Sequence, residues 1–301
     1  MADAGRVASR GSRSDTVGAL VNAMVVVLQR TFGDTARQEA RDLLAALHDM
    51  PRHWPTVEHD QRVSTEEWLR AIRAAKRRAR GAPQQYAAGQ ASFRHLTLDV
   101  DERVLIPRPE TERLVDLVLD ALRGESGGIV VDVGTGSGAI ALAIASESEV
   151  DLVIGTDVSI DALAVAGANV VRSAPVLRAP VELRAGSLLR PVGERPLRAV
   201  VSNPPYISWN DRDALPSSVR DWEPSVALFS DADGMATTAR LVRDAGGALG
   251  PGGLLALEVD ARRASMAAEL VATDGAYEMV KVVLDLTGRE RFVVARRRGT
   301  E

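Results

Sequence analysis

From Asp15 to about Arg80, apolar residues recur three and four positions apart, as in Ala36 to Leu47 and Thr65 to Ala75. That is the period of helices with one buried face. Pro51, Pro55 and the polar stretch around His59 interrupt it, so several short helices are expected, and Gly81-Ala82-Pro83 punctuates their end. The pattern predicts a small helical bundle over residues 15–82. The apolar run Ala19 to Leu28 belongs to it. After Arg6, Arg10 and Arg13 this run superficially resembles a secretion signal, but Gln29-Arg30-Thr31-Phe32 is bulky and charged where small residues would be needed. The run is also too short to span a bilayer.

Beyond residue 90 the rhythm becomes strand and helix in alternation, which predicts a parallel sheet covered on both faces. Strands are expected at Gly128 to Val133, Leu152 to Thr156, Val181 to Leu183, Ala199 to Ser202 and Leu254 to Val259. Met279 to Asp285 and Arg291 to Ala295 read as a closing hairpin, and Ala139 to Ala145 and Asp161 to Val171 as helices. Residues 83–110 then form a linker or hairpin segment, and residues 111–298 an α/β domain.

Composition changes this picture little. With 46% hydrophobic and 26% charged residues the chain is of ordinary globular type. A formal charge of −4 excludes a protein that coats polyanions along its whole length. No cysteine is present, so disulfides, thiolate metal sites and cysteine nucleophiles are excluded, and the four histidines show no metal-binding spacing. Arg70, Arg73, Lys76, Arg77, Arg78 and Arg80 form a basic run at the end of the bundle. It reads as a solvated helix face or as a docking patch for an acidic protein or RNA.

Candidate chemistry begins at Asp132-Val133-Gly134-Thr135-Gly136-Ser137-Gly138, between a strand and a helix. Glycines there allow a tight turn and close approach of the backbone to a nucleotide. Asp157, at the tip of the next strand, can accept hydrogen bonds from ribose hydroxyls. Gly134, Gly136 and Ala139 also fit a relaxed dinucleotide fingerprint. With Asp132 and the third glycine, Gly138, the pattern resembles the S-adenosylmethionine loop of class I methyltransferases.

Val200 to Ser202 then runs into Asn203-Pro204-Pro205-Tyr206. In open α/β sheets ligands bind beyond the carboxyl ends of the strands, which brings this motif to face the glycine loop. An amide nitrogen is a poor nucleophile, since its lone pair is delocalised, and it must be held by its N–H groups with the lone pair aimed. Asn203 can accept one N–H through its side-chain oxygen and the Pro204 carbonyl the other, while the prolines stiffen the backbone. Tyr206 offers an aromatic wall. Chemistry alone leaves adenine N6 and a glutamine amide equally suited.

Beside these motifs stand Pro83-Gln84-Gln85-Tyr86 with Gly89 and Phe93, and Val104-Leu105-Ile106-Pro107-Arg108-Pro109-Glu110-Thr111-Glu112. Glu223-Pro224 with Ala227-Leu228, Asp233-Gly234, Gly252-Gly253 with Glu258, and Asp285 with Gly288 and Arg291 complete the set. On these residues the chain resembles the HemK-type release-factor glutamine methyltransferases over about residues 35–297. The resemblance implies a class I, Rossmann-like, seven-stranded methyltransferase domain behind a small N-terminal helical domain that helps recognise the partner. It implies a cytoplasmic enzyme that methylates the glutamine of the Gly-Gly-Gln loop of bacterial-type peptide chain release factors and leaves S-adenosylhomocysteine. Neither a membrane nor nucleic acid is then required. Carried over by position, Gly134, Thr135, Gly136, Ser137, Gly138, Asp157, Leu188 and Asn203 bind the cofactor. Asn203, Pro204, Pro205 and Tyr206 hold the glutamine, with Asn203, Pro204 and Tyr206 as the catalytic set. One departure stands out: Ser187-Leu188 stands where the family usually has an acidic residue followed by a bulky apolar or aromatic one near the adenine, and the missing carboxylate at Ser187 predicts weaker cofactor binding. Exocyclic-amine methylation of DNA or RNA is the alternative function, and a non-enzymatic binding protein a third.

Overall fold

A computed structural model describes residues 15–124 and 126–299, so the arginines at positions 6, 10 and 13 lie outside the described residues. The chain divides into two compact units, residues up to 88 and residues from 89 onward.

The first unit is helical: α1 (Val17–Phe32), α2 (Ala36–Leu47), α3 (Trp54–Val57), α4 (Thr65–Ala79) and α5 (Gln84–Ala88). Its core joins Leu20, Met24 and Leu28 of α1 to Leu43, Leu44 and Leu47 of α2 and Ala71, Ala74 and Ala75 of α4. The apolar run beginning at Ala19 is thus a packed helix, longer at both ends than the pattern suggested. Ser64 and Glu67 form a reciprocal capping box that starts α4, satisfying backbone donors that the first helical turn leaves unpaired. Within the basic run, Arg78 is structural: it donates to Glu39 at 2.9 Å and lies over the Phe32 ring.

The second unit opens with a hairpin, β1 (Gln90–Phe93) and β2 (Leu96–Asp99), and α6 (Pro109–Leu122). There follow β3 (Ile129–Val133), α7 (Ala139–Glu147), β4 (Leu152–Asp157), α8 (Ile160–Ser173), β5 (Val181–Ala185) and β6 (Leu197–Ser202). Short helices α9 (Ser217–Arg220) and α10 (Ser225–Leu228) precede α11 (Ala236–Ala248), β7 (Leu249–Glu258), α12 (Ala264–Thr273), β8 (Tyr277–Leu284) and β9 (Glu290–Arg297).

The sheet has seven strands in the order β5-β4-β3-β6-β7-β9-β8, parallel except for β9, which is antiparallel to both neighbours. Side chains alternate across it, as strand geometry requires. Val130 joins the apolar layer of α6 and α7, whereas Ile129, Val131 and Val133 join that of α11 and α12. Both faces are therefore buried. Strand order reverses between β3 and β6, and such a switch point opens a crevice at the carboxyl ends of those two strands. Among the described residues, no helix is long and apolar enough to cross a membrane.

Candidate functional site

The glycine loop leaves β3 and is tied to β4: the Gly134 and Thr135 N–H groups both donate to the Thr156 carbonyl, at 2.8 and 2.9 Å. Gly136 sits at φ 54°, a left-handed conformation that glycine adopts at little cost, and a Cβ built there meets nothing within 4 Å. Its N–H donates to Asp157 Oδ2 at 2.9 Å, and the Ser159 N–H donates to Oδ1 at 2.9 Å. Asp157 is thereby fixed at the loop with lone pairs to spare for hydroxyl donors.

Beneath the loop lies Asp132, fully buried, with Oδ2 accepting from the Thr135 hydroxyl at 2.6 Å and the Ala141 N–H at 3.1 Å. Its Oδ1 has no partner among the described residues. Burial is the main reason its acidity drops, to a pKa of about 7, with nearby Asp157 adding to the effect and the two hydrogen bonds opposing it.

The second motif follows β6. Val133 pairs with Ser202, and the Ser202 hydroxyl donates to the Val133 carbonyl at 2.6 Å, so the two motif-bearing strand ends are joined directly. The loop is braced from below by Gly234 (φ 84°), where a Cβ would fall onto the Tyr206 carbonyl oxygen. Arg263, almost completely buried, donates to the carboxylates of Asp211 at 3.2 Å and Asp233 at 2.9 Å and ties the loops that flank the motif.

A cavity of about 680 Å³ opens between the two motifs. Gly134, Gly136, Asp157, Leu188, Asn203, Pro204 and Pro205 line it together. Thr135, Ser137 and Gly138 do not: Thr135 and Ser137 are buried behind the wall, and Gly138 starts α7. Tyr206 is half-buried behind the prolines, its hydroxyl pKa raised first by burial and then by Glu258. Leu188 has φ 54°, costly for a branched side chain, and its carbonyl is held by the Thr156 hydroxyl at 2.9 Å. Ser187 lines the cavity beside it.

The structure adds residues whose part was not read from the sequence. Trp209 and Phe229 stack with centroids 4.4 Å apart, and both line the cavity. Val104 and Leu105 contribute a further wall. Thr111 and Glu258 reach Asn203 from behind: Asn203 Nδ2 lies 3.3 Å from Thr111 Oγ1, and the Thr111 hydroxyl donates to Glu258 Oε2 at 2.7 Å. Both belong to the sequence motifs, but nothing local marks them as partners of Asn203.

The donor set fits S-adenosylmethionine. Free space stands over Gly134 and Gly136, a carboxylate is held at the tip of β4, and apolar Leu188 is available to a base.

A family model described as methyltransferase small domain matches residues 112–215, and one described as PrmC N-terminal domain matches residues 20–89. The release factor glutamine methyltransferase of Gloeobacter violaceus is 43% identical over 75% of this chain and 77% of its own length. Those of Deinococcus radiodurans and Moorella thermoacetica are 38% and 41% identical, each over 87% of this chain and over 91% and 92% of their own. Among solved structures, the hMettl16 catalytic domain in complex with MAT2A 3'UTR hairpin 6 shares the fold, with a TM-score of 0.54 and 15% identity over 79% of this chain and 83% of that one. With relatives this similar across both units, and a glycine loop facing an Asn-Pro-Pro-Tyr turn, the chain is an S-adenosylmethionine-dependent methyltransferase of the release factor glutamine methyltransferase family.

Proposed function

We propose that this chain methylates the side-chain amide nitrogen of the glutamine in the Gly-Gly-Gln loop of a bacterial-type peptide chain release factor, in the cytoplasm and without nucleic acid. The likeness to release factor glutamine methyltransferases supports glutamine over adenine N6, and the observation that carries transfer to a planar nitrogen is the anchored Asn203 amide at the wall of a cavity shared with the glycine loop. S-Adenosylmethionine would supply an electrophilic methyl: the nitrogen–carbon bond forms as the sulfonium carbon–sulfur bond breaks to a neutral thioether, and one amide N–H proton is released to water.

The chain's own residues position and align. Gly134, Gly136 and Asp157 would hold the cofactor, with Leu188 available to the adenine. Asn203 Oδ1 accepts one N–H of the glutamine amide and the Pro204 carbonyl the other, so the nitrogen is presented with its lone pair toward the methyl. Pro205 and Tyr206 stiffen and back the turn. Alignment of this kind converts a bimolecular encounter into an effectively unimolecular step. The helical unit serves as the partner-recognising part.

The test offers labelled S-adenosylmethionine with a release factor, with the same factor carrying alanine in place of the Gly-Gly-Gln glutamine, and with DNA and RNA. Label is expected in the intact factor alone. Equal label in the alanine variant, or label in nucleic acid, would overturn the assignment.

A further inference from the structure

We infer that Thr111 and Glu258 are positioning residues for methyl transfer, acting as a one-way hydrogen-bond chain that holds the Asn203 amide with its oxygen toward the substrate. This rests on the reading of Asn203 as the acceptor of a glutamine N–H.

The Thr111 hydroxyl has one proton, and it is committed to Glu258 Oε2 at 2.7 Å. Toward Asn203 the hydroxyl can therefore offer only a lone pair. An amide facing a lone pair presents its NH₂, which is the arrangement found, with Nδ2 3.3 Å from Thr111 Oγ1. Asn203 Oδ1 is then left without a protein partner among the described residues, as an acceptor on a side chain that lines the cavity. Oxygen and nitrogen ends of an amide are nearly identical in shape, so packing alone cannot choose between them. Turned over, Asn203 would set donor against donor at the glutamine nitrogen. The carboxylate at the far end thus decides which kind of hydrogen-bonding group the substrate meets.

The fold supplies this chain for a structural reason. Along α6 the buried positions are Thr111, Leu114, Val115, Val118 and Leu122, one helix face. Thr111 is its polar member, at the end nearest the carboxyl edge of the sheet, where β7 ends in Glu258. Both side chains are buried, so water does not compete for their hydrogen bonds. An apolar residue would be the ordinary choice at either position.

The groups facing Glu258 are Arg108 and Glu110 ahead of and within the first turn of α6, Arg291 on β9 and Tyr206 after β6. Burial outweighs the Thr111 hydrogen bond and the two arginines and raises its pKa to about 7. Ionised above that pH, Glu258 can only accept. Protonated below it, Glu258 can donate to Thr111, whose own proton is then free to turn toward Asn203, and the chain loses its direction.

The experiment compares wild type, Thr111→Val, Thr111→Ser and Glu258→Gln. It measures kcat and KM with the release factor, cofactor Kd by calorimetry, and the pH profile of kcat between about pH 5.5 and 9. Thr111→Val is expected to lower kcat about 10- to 100-fold, the rate equivalent of one buried hydrogen bond, with KM and cofactor Kd within about threefold of wild type. Thr111→Ser, which keeps the hydroxyl, is expected to restore kcat to within about threefold. Wild-type kcat is expected to fall as pH drops through about 7, and Glu258→Gln to lose that acid limb. Unchanged kcat in Thr111→Val, no recovery in Thr111→Ser, or a retained acid limb in Glu258→Gln overturns the inference. The profile of Glu258→Gln decides the matter even if Thr111→Val does not fold. A wild-type protein that fails to label the release factor overturns the functional reading itself, whereas an active wild type beside an indifferent Thr111→Val overturns only this chain.

Discussion

Arg108 and Glu223, separated by 115 positions, meet through a 2.6 Å hydrogen bond from the guanidinium Nη2 to the carboxylate Oε1. Glu223 is almost completely buried, and burial raises its pKa against the pull of Arg108. The pair joins the segment that carries Val104 and Leu105 to the start of α10, two walls of the same cavity.

Removing one partner leaves a buried charge unpaired. Arg108→Met is expected to lower stability by about 3 kcal/mol, and the double variant Arg108→Met/Glu223→Met to recover much of that loss. Urea unfolding of the four proteins gives the coupling energy, and strict additivity would mean that the pair contributes nothing.

Asn203→Ala is expected to bind the cofactor within about tenfold of wild type while losing transfer by several orders of magnitude. Calorimetry and single-turnover labelling separate the two effects. Substantial turnover in this variant would remove Asn203 from the role given to it.

Ser187 lines the cavity beside Leu188, and its hydroxyl is a weaker acceptor for an amino group than a carboxylate would be. Ser187→Asp is expected to tighten cofactor binding about 3- to 10-fold by calorimetry. An unchanged Kd would show that this position does not reach the adenine.

Gly234→Ala places a methyl against the Tyr206 carbonyl at a φ of 84°. A loss of about 2 to 4 kcal/mol in stability is expected, with kcat reduced in whatever protein remains folded, since the loop carrying Asn203 must shift. A thermal melt beside the labelling assay tests both.

Asp132 sets a pH dependence of stability. Its folded-state pKa of about 7 stands above the ordinary value of 3.8, so its contribution is fully present below the ordinary value and is lost as pH rises through 7. Asp132→Asn is therefore expected to gain on the wild type in urea midpoint between pH 5 and pH 8. A constant difference between the two proteins over that range would contradict the buried-acid account.

Much of this architecture was legible in the sequence because it is local. β3, β4 and β6 lie within two residues of the expected positions, since short apolar runs ending in Gly134, Asp157 and Asn203 mark their carboxyl ends. β7 starts at Leu249, ahead of the expected Leu254, because Gly250-Pro251-Gly252-Gly253 reads as a turn yet continues the strand through a register shift beside β6. Helices α6, α11 and α12 are not among those the pattern predicts. At the site, the two motifs declared themselves through glycine and proline, residues whose backbone demands show in the chain itself. Thr111, Glu258 and the Arg108–Glu223 pair did not, since their meaning lies in partners about a hundred positions away.

Ser202 and Val133, paired and hydrogen-bonded at the tips of β6 and β3, give the site a ruler. Adjacent strands lie about 4.8 Å apart whatever side chains they carry. The span between the glycine loop and the Asn-Pro-Pro-Tyr turn is therefore inherited from the main chain. Side chains around it can drift without detuning the reach, provided the ladder between the two strands stays intact.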